Sequence, residues 1–339
     1  MAHAVKNQRS KQGPLTCRKE LGSIDCGKLA IIAGLKAYRQ YLICSPIEKN
    51  KSDKGINMLN RWISVIVLAM SLAAVSARAD GNSFDATTEA ALNAAINGEH
   101  RSAENKARDV YRHPMETLAF FGFRSDMTVV EVWPGGGWYT EILAPALKDR
   151  GRLYAAQYSP NPPFAYQRRY FGSFLTKIGT TPDVYRDVHV TTLDFPYSLQ
   201  IAPPGSADLV VTFRNVHNWA SEGYGQDAMR LGYRAMFDAL KPGGVLGIVD
   251  HRWPDAKTED PSADNGYISE QRVIADAESA GFRFAGRSEI NSNPKDTRDH
   301  PEGVWTLPPS LALGDVDRDK YLAIGESDRM TLKFIKPEK

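Results

Sequence analysis

From residue 128 onward the chain alternates short apolar runs with stretches of helical period, and this alternation lays out a fold. Thr128 to Val132 is β-branched and apolar on both sides of one acid, the pattern of a strand buried on both faces. Helical spacing runs from about Trp138 to Lys148 and stops at Gly151, after which Arg152 to Gln157 predicts a second strand. Pro160, Pro162 and Pro163 interrupt the chain before a helical stretch from Phe164 to Ile178. Val184 to Thr191 predicts a third strand, Ala207 to Arg214 a fourth, and Gly225 to Leu240 a helix closed by Lys241-Pro-Gly-Gly244. Val245 to Arg252 is the fifth strand. A helix at about Ser269 to Ala280, ended by Gly281, leads to a strand at Phe284 to Ile290, and Met330 to Ile335 closes the series. Strands and helices alternating in this way, joined by right-handed crossovers, give a doubly wound, mostly parallel sheet of seven strands, Rossmann-like, with helices on both faces. Ligands of such sheets bind at the switch point outside the carboxyl ends of strands one and four.

The turn that meets this point is Val129-Val-Glu-Val-Trp-Pro-Gly-Gly-Gly-Trp-Tyr-Thr-Glu-Ile-Leu-Ala-Pro145. Gly135, Gly136 and Gly137 let the backbone turn with positive φ, and the first amides of the following helix face the turn, ready for a carboxylate, hydroxyl or phosphate. A dinucleotide fingerprint is not met, because Trp133 stands where its first glycine would be. The pattern instead resembles motif I of the class I S-adenosylmethionine-dependent methyltransferases, E-x-G-x-G-x-G, with Glu131, Gly135 and Gly137 in register and Trp133-Pro134 in place of Gly-x. The longer run looks like an exported, signal-peptide-bearing group of predicted bacterial methyltransferases. Leu240-Lys-Pro-Gly-Gly-Val-Leu246 and Ala207-Asp-Leu-Val-Val-Thr212 resemble the turn before the fifth strand and the fourth strand of the same class, so the likeness extends from about Asp109 to the C-terminus.

The resemblance implies S-adenosyl-L-methionine as cofactor, held by Glu131, Gly135, Gly136 and Gly137. It gives Asp194, in Asp194-Phe-Pro196, the adenine amino group, although a turn or helix-start role suits that residue equally. Gln157 stands where the family places the acid that takes the ribose hydroxyls; a neutral amide accepts more weakly, by about 1 kcal/mol. Arg112 and His113 are candidate contacts to the cofactor's carboxylate, with exposed helix capping as the simpler assignment.

Catalytic groups are expected after strands four and five. Arg214-Asn-Val-His-Asn-Trp219 gathers a cation, two amides, an imidazole and an indole. His217 can serve as a general base near neutral pH, with Asn215 or Asn218 orienting an acceptor. Asp250-His251-Arg252 offers a second carboxylate and imidazole, or an ion-paired structural cluster. No metal site is expected, since His189, His217 and His251 lack ligand spacings such as H-x-x-x-H. Asn291 to His300 is a polar loop open to reading as a lid or as a surface excursion, and Asp328 and Arg329 are expected to pair with each other's neighbours at a strand edge.

Composition changes the picture at one end. Met58 to Ala79 reads as a secretory signal, with Arg61 before an apolar core from Trp62 to Val75 and an Ala77-Arg78-Ala79 cleavage site. The core is shorter than the roughly 20 residues that span a bilayer, so no stable membrane span is expected in the mature form. Residues 1–57 are then an extension outside the mature fold, and 80–339 a single domain whose segment 85–125 is helical. Residues 1–79 carry 13 Lys+Arg against 4 Asp+Glu and all three cysteines, which leaves 29 basic and 36 acidic residues in the remainder. An acidic body without cysteine argues against nucleic-acid binding and thiol chemistry. The expectation is a periplasmic methyltransferase acting on a small molecule or an envelope component; the alternative is an exported binding protein that kept the fold without the transfer.

Overall fold

The computed structural model describes residues 84–338, so the extension and the signal segment lie outside the described residues. A helical arm comes first: α1 (Ala86–Asn97), α2 (Ala103–Lys106), α3 (Asp109–Arg112) and α4 (Pro114–Phe121). Asp85 caps α1 by accepting the amides of Thr87 and Thr88, donors that the helix itself leaves unmatched. Pro114 opens α4, where its missing N–H costs nothing. The alternating part follows as β1 (Thr128–Val132), α5 (Thr140–Leu147), β2 (Arg152–Gln157), α6 (Ala165–Thr180), α7 (Pro182–Tyr185), β3 (Val188–Thr192) and β4 (Ala207–Phe213). It continues with α8 (Val216–Ala220), α9 (Ala228–Ala239), β5 (Leu240–Trp253), β6 (Ile268–Ser269), α10 (Glu270–Ser279), β7 (Arg283–Ser288), α11 (Arg318–Ile324) and β8 (Arg329–Ile335).

The strands lie in the order β3-β2-β1-β4-β5-β8-β7, with two-residue β6 paired to the far end of β5. All neighbours from β3 to β5 are parallel, and β8 runs antiparallel between β5 and β7. This is the sheet of the class I methyltransferase fold, with one short strand beyond the seven expected. Val130 and Val132 pack on one face with residues of α9 and α10, while Val129, Leu209 and Val211 pack on the other with α1, α4 and α5. Burial on both faces is why β1 and β4 read as continuous apolar runs.

Three boundaries differ from the expectation for local reasons. β3 begins at Val188, opposite Leu153, because Pro182 starts a single helical turn that absorbs Val184 and Tyr185. Lys241-Pro-Gly-Gly244 does not close a helix; it belongs to β5, where the pairing with β4 slips between Ala207↔Leu240 and Leu209↔Val245. A bulge needs a residue free to adopt an unusual backbone, and Gly243 has φ 76°. The Asn291–His300 loop is pinned rather than free to act as a lid: buried Asn291 donates to Thr117 and Thr331, and buried Asp296 accepts from the Asp328 amide at 2.8 Å.

Candidate functional site

The carboxyl ends of β1 and β4 part at the glycine turn, as the switch-point rule requires. Gly135 and Gly137 hold φ of 59° and 80°, and a side chain at Gly137 would press on Phe174 of α6 at 3.1 Å. Glu131 is buried beneath the start of α5, where it accepts the Thr140 hydroxyl at 2.6 Å. Burial pushes its carboxyl up to about 7, against the smaller opposing effects of that hydrogen bond and Lys177.

Trp133 departs most from the expected motif. Its φ is 48°, a left-handed conformation that costs a side-chain-bearing residue on the order of 1–2 kcal/mol. The strain persists because its surroundings fix it on every side. The backbone N–H donates to Ala156 at 2.8 Å, and Asn215 Nδ2 donates to the carbonyls of Val132 and Trp133 at 3.0 and 3.1 Å. The indole packs among Tyr158, Phe195, Trp219 and Tyr224, with ring centroids 5.0–5.7 Å away, and Nε1 donates to Leu193 at 3.0 Å. A planar heterocycle of the chain itself thus fills the slot between the ends of β2 and β3. The cavity left there, lined in part by Tyr158 and Asp194, measures about 60 Å³, far below the ~300 Å³ or more of ordinary small-molecule pockets.

Two expected site residues are committed elsewhere. Gln157 is fully buried: its Nε2 donates to the Gly135 carbonyl at 2.9 Å and so braces the glycine turn, while its Oε1 accepts from the adjoining Tyr158 amide at 3.0 Å at the end of β2. Asn215 Nδ2 is engaged as well: besides its two carbonyls it donates to Thr212 at 3.1 Å, tying β4 to β1. The space around Gly135, where an added Cβ would meet nothing within 4 Å, suits the methionine end of S-adenosylmethionine, and the indole occupies the slot that the motif resemblance gives to the nucleoside.

On the other side of the turn the structure brings together groups distant in sequence. Asp250, near the end of β5 and fully buried, accepts from His217 Nδ1 at 2.7 Å and from the His217 amide at 3.0 Å. It also accepts from the His251 amide at 2.8 Å. This fixes the His217 tautomer with Nδ1 protonated and Nε2 as the acceptor. The His251 ring lies 5.1 Å from that of His217, and its Nδ1 meets the Ser327 hydroxyl. Burial, then His217 and the guanidiniums of Arg214, Arg329 and Arg112, hold the His251 imidazole well below its usual range, so it is neutral near pH 7. His217, Asp250 and His251 place one ligand-type atom each within 4.8 Å of one another, a grouping that spacing along the chain did not suggest. Because Asp250 already accepts three hydrogen bonds and arginines face His251, the triad is built to orient an imidazole more than to hold a cation.

Arg112 is buried, not an exposed capping residue, and its guanidinium lies over Trp138 at 4.6 Å. It meets Glu326 at 3.2 Å, as do Arg108 at 2.6 Å and Arg329 at 3.0 Å. Those three arginines overcome the effect of burial and hold the Glu326 carboxyl well below the usual range. Arg214 follows β4 with φ 62°, its amide bonded to Val249 at 2.7 Å. Sequence reading singled out Arg112, Arg214 and Arg329 separately but missed Arg108, Glu326 and their convergence, since their separations run to more than 200 residues. Arg329 pairs with Glu326, a neighbour of Asp328, as expected, whereas buried Asp328 pairs with Arg252 and Arg298 at 2.9 Å each, and β8 lies between β5 and β7 and not at an edge of the sheet.

No protein-family model matches this chain, and no curated protein matches it. Solved structures with a similar backbone include a SAM-dependent methyltransferase from Aquifex aeolicus, at 18% identity over 68% of this chain and 93% of that one, with a TM-score of 0.42. The 4+2 cyclase SpnF matches at 13% identity over 77% of this chain and 100% of its own, TM-score 0.48. A putative sarcosine dimethylglycine methyltransferase from Galdieria sulphuraria matches at 13%, over 76% and 92%, TM-score 0.45. These are likenesses of fold. The strand order and register of the chain itself establish its architecture.

Proposed function

We propose that this chain is an S-adenosyl-L-methionine-dependent methyltransferase, of the exported group its motif resembles, acting on a small molecule or an envelope component. What supports the reading most is the glycine turn at the β1–β4 switch point beside an imidazole held by a buried carboxylate. Bound there, the cofactor supplies a sulfonium methyl group. The residues of the chain do the rest: Gly135 and Gly137 allow close backbone approach, and Asp250 fixes His217 so that Nε2 can take the proton of an acceptor hydroxyl or amine. Among the described residues no helix is long and apolar enough to cross a membrane. The periplasmic location is part of the proposal and rests on the signal-like sequence of residues 58–79.

A second reading is favoured by Trp133 and Gln157: an exported binding protein that keeps the fold without transfer, its nucleoside slot closed by its own side chain. Calorimetric titration of the protein with S-adenosylmethionine and its demethylated product separates the two. Saturable binding by the unaltered chain supports the methyltransferase. Binding gained only when Trp133 is replaced by glycine supports the second reading, and no binding by either form refutes the cofactor assignment.

A further inference from the structure

Arg108, Arg112, Arg214 and Arg329 come from α3 and its flank, the end of β4 and the start of β8, and they converge on the side of Glu326 and His251, whose ring lies 5.1 Å from that of His217. Among the described residues Glu326 is the carboxylate that Arg108, Arg112 and Arg329 share, and Arg214 pairs with none. Even with Asp250 counted, the cluster keeps a formal charge of about +2, with Arg112 and Arg329 buried and Arg108 and Arg214 half-buried, where an unneutralised guanidinium is costly to the extent that it has left water. Burial accordingly pushes Arg108, Arg112 and Arg329 below the usual arginine range, and the neighbouring arginines add to it. Several donors are also idle. Arg112 Nη2, Arg108 Nη2 and Arg214 Nε are buried without a hydrogen-bond partner, and Arg112 is only 3% exposed. Buried donors of this strength are matched in nearly all folded proteins, so an unmatched set points to something that binds.

We propose that this cluster is a binding site for a compact dianionic oxyanion of the phosphate-monoester type, carried by a small molecule whose remainder lies toward His217. Guanidinium forks match phosphate oxygens in pairs, and a dianion balances the residual charge. Trp138 beneath Arg112, and Glu326 between three of the arginines, hold the forks in place before the ligand arrives. The site goes beyond methyl transfer: no glycine of the turn takes part in it, and Trp138, next to Gly137, serves it only as the plane beneath Arg112.

The test is calorimetric titration of the protein with inorganic phosphate in chloride buffer, with no S-adenosylmethionine present. One saturable site is expected. Arg214→Gln removes a guanidinium that makes no side-chain hydrogen bond and should leave a folded protein that binds phosphate about tenfold more weakly or worse. Arg230→Gln, in an exposed pair with Asp227, should bind as the parent does. Absence of saturable phosphate binding, or equal affinity in the Arg214→Gln protein, overturns the proposal. Competition arms identify the source of the charge. If methionine displaces phosphate as well as phosphate monoesters do, the cluster belongs to the amino-acid end of a cofactor and the proposal is overturned; if only phosphate monoesters displace it, the assignment holds.

Discussion

Replacing Trp133 by glycine tests the reading of the nucleoside slot most directly, because the structure gives both sides of the balance. The indole is 4% exposed. An aromatic side chain of this size buries about 150–250 Å² or so, worth roughly 4–6 kcal/mol at ~25 cal/mol per Å². Its hydrogen bond to Leu193 adds about 1 kcal/mol, and relief of the left-handed backbone returns about 1–2 kcal/mol. A ligand that must expel the indole therefore faces a penalty of about 4 kcal/mol, close to a thousandfold in affinity. Trp133→Gly removes that penalty and suits φ 48°, so S-adenosylmethionine should bind about 10²–10³-fold more tightly than to the parent chain. The same change should lower unfolding free energy by about 3–5 kcal/mol, the usual result of emptying a large aromatic site. Calorimetry and urea denaturation read the two effects separately. A folded mutant whose affinity matches the parent's would show that Trp133 does not occupy the nucleoside site, and the assignment of that slot would fall.

Three further outcomes are expected. Glu131, raised to about 7 by burial, holds its proton in the native state between about pH 4.5 and 7 while the unfolded chain releases it. Stability therefore falls as pH rises through this window, by about 3 kcal/mol in all, and Glu131→Gln should flatten the slope in denaturation experiments across pH 5–8; an unchanged slope would refute the assignment. His217→Ala should leave cofactor binding nearly intact while lowering turnover on an identified acceptor by ~10²–10⁴-fold; unaltered turnover would make the His217–Asp250 pair structural. Mass spectrometry of protein expressed from Met58 should find a mature N-terminus at Asp80 in the periplasm, whereas an intact cytoplasmic chain would defeat the export proposal.

The fold was legible because its signals are local. β1 and β2 coincide with their predicted spans, since apolar runs bounded by a glycine turn, or by Gly151 and later prolines, have few other readings. Asp250 and His217 were visible as residues at the ends of strands, but their hydrogen bond follows from the parallel pairing of β4 with β5, a register that no local pattern states. Two hydrogen-bonding roles were not legible for one shared reason. Gln157 and Asn215 each donate to backbone carbonyls at the end of β1 or in its turn, partners that become visible only once the strands are placed side by side. Arg108 carried no signal at all until Glu326, 218 residues away, was seen to share its charge.

The Asn215 amide has a mechanical consequence. It grips the two carbonyls that flank the Trp133 Cα, those of Val132 and of Trp133 itself, and it stands between Arg214, whose amide is anchored to β5, and His217, whose amide is anchored to Asp250. A ligand that levers Trp133 out of its slot pulls on this bolt, and the pull reaches the guanidinium on one side and the imidazole on the other. An occupant that displaces Trp133 should therefore strain the anchors of Arg214 and His217 together, because the residue between them holds the peptide that has to move.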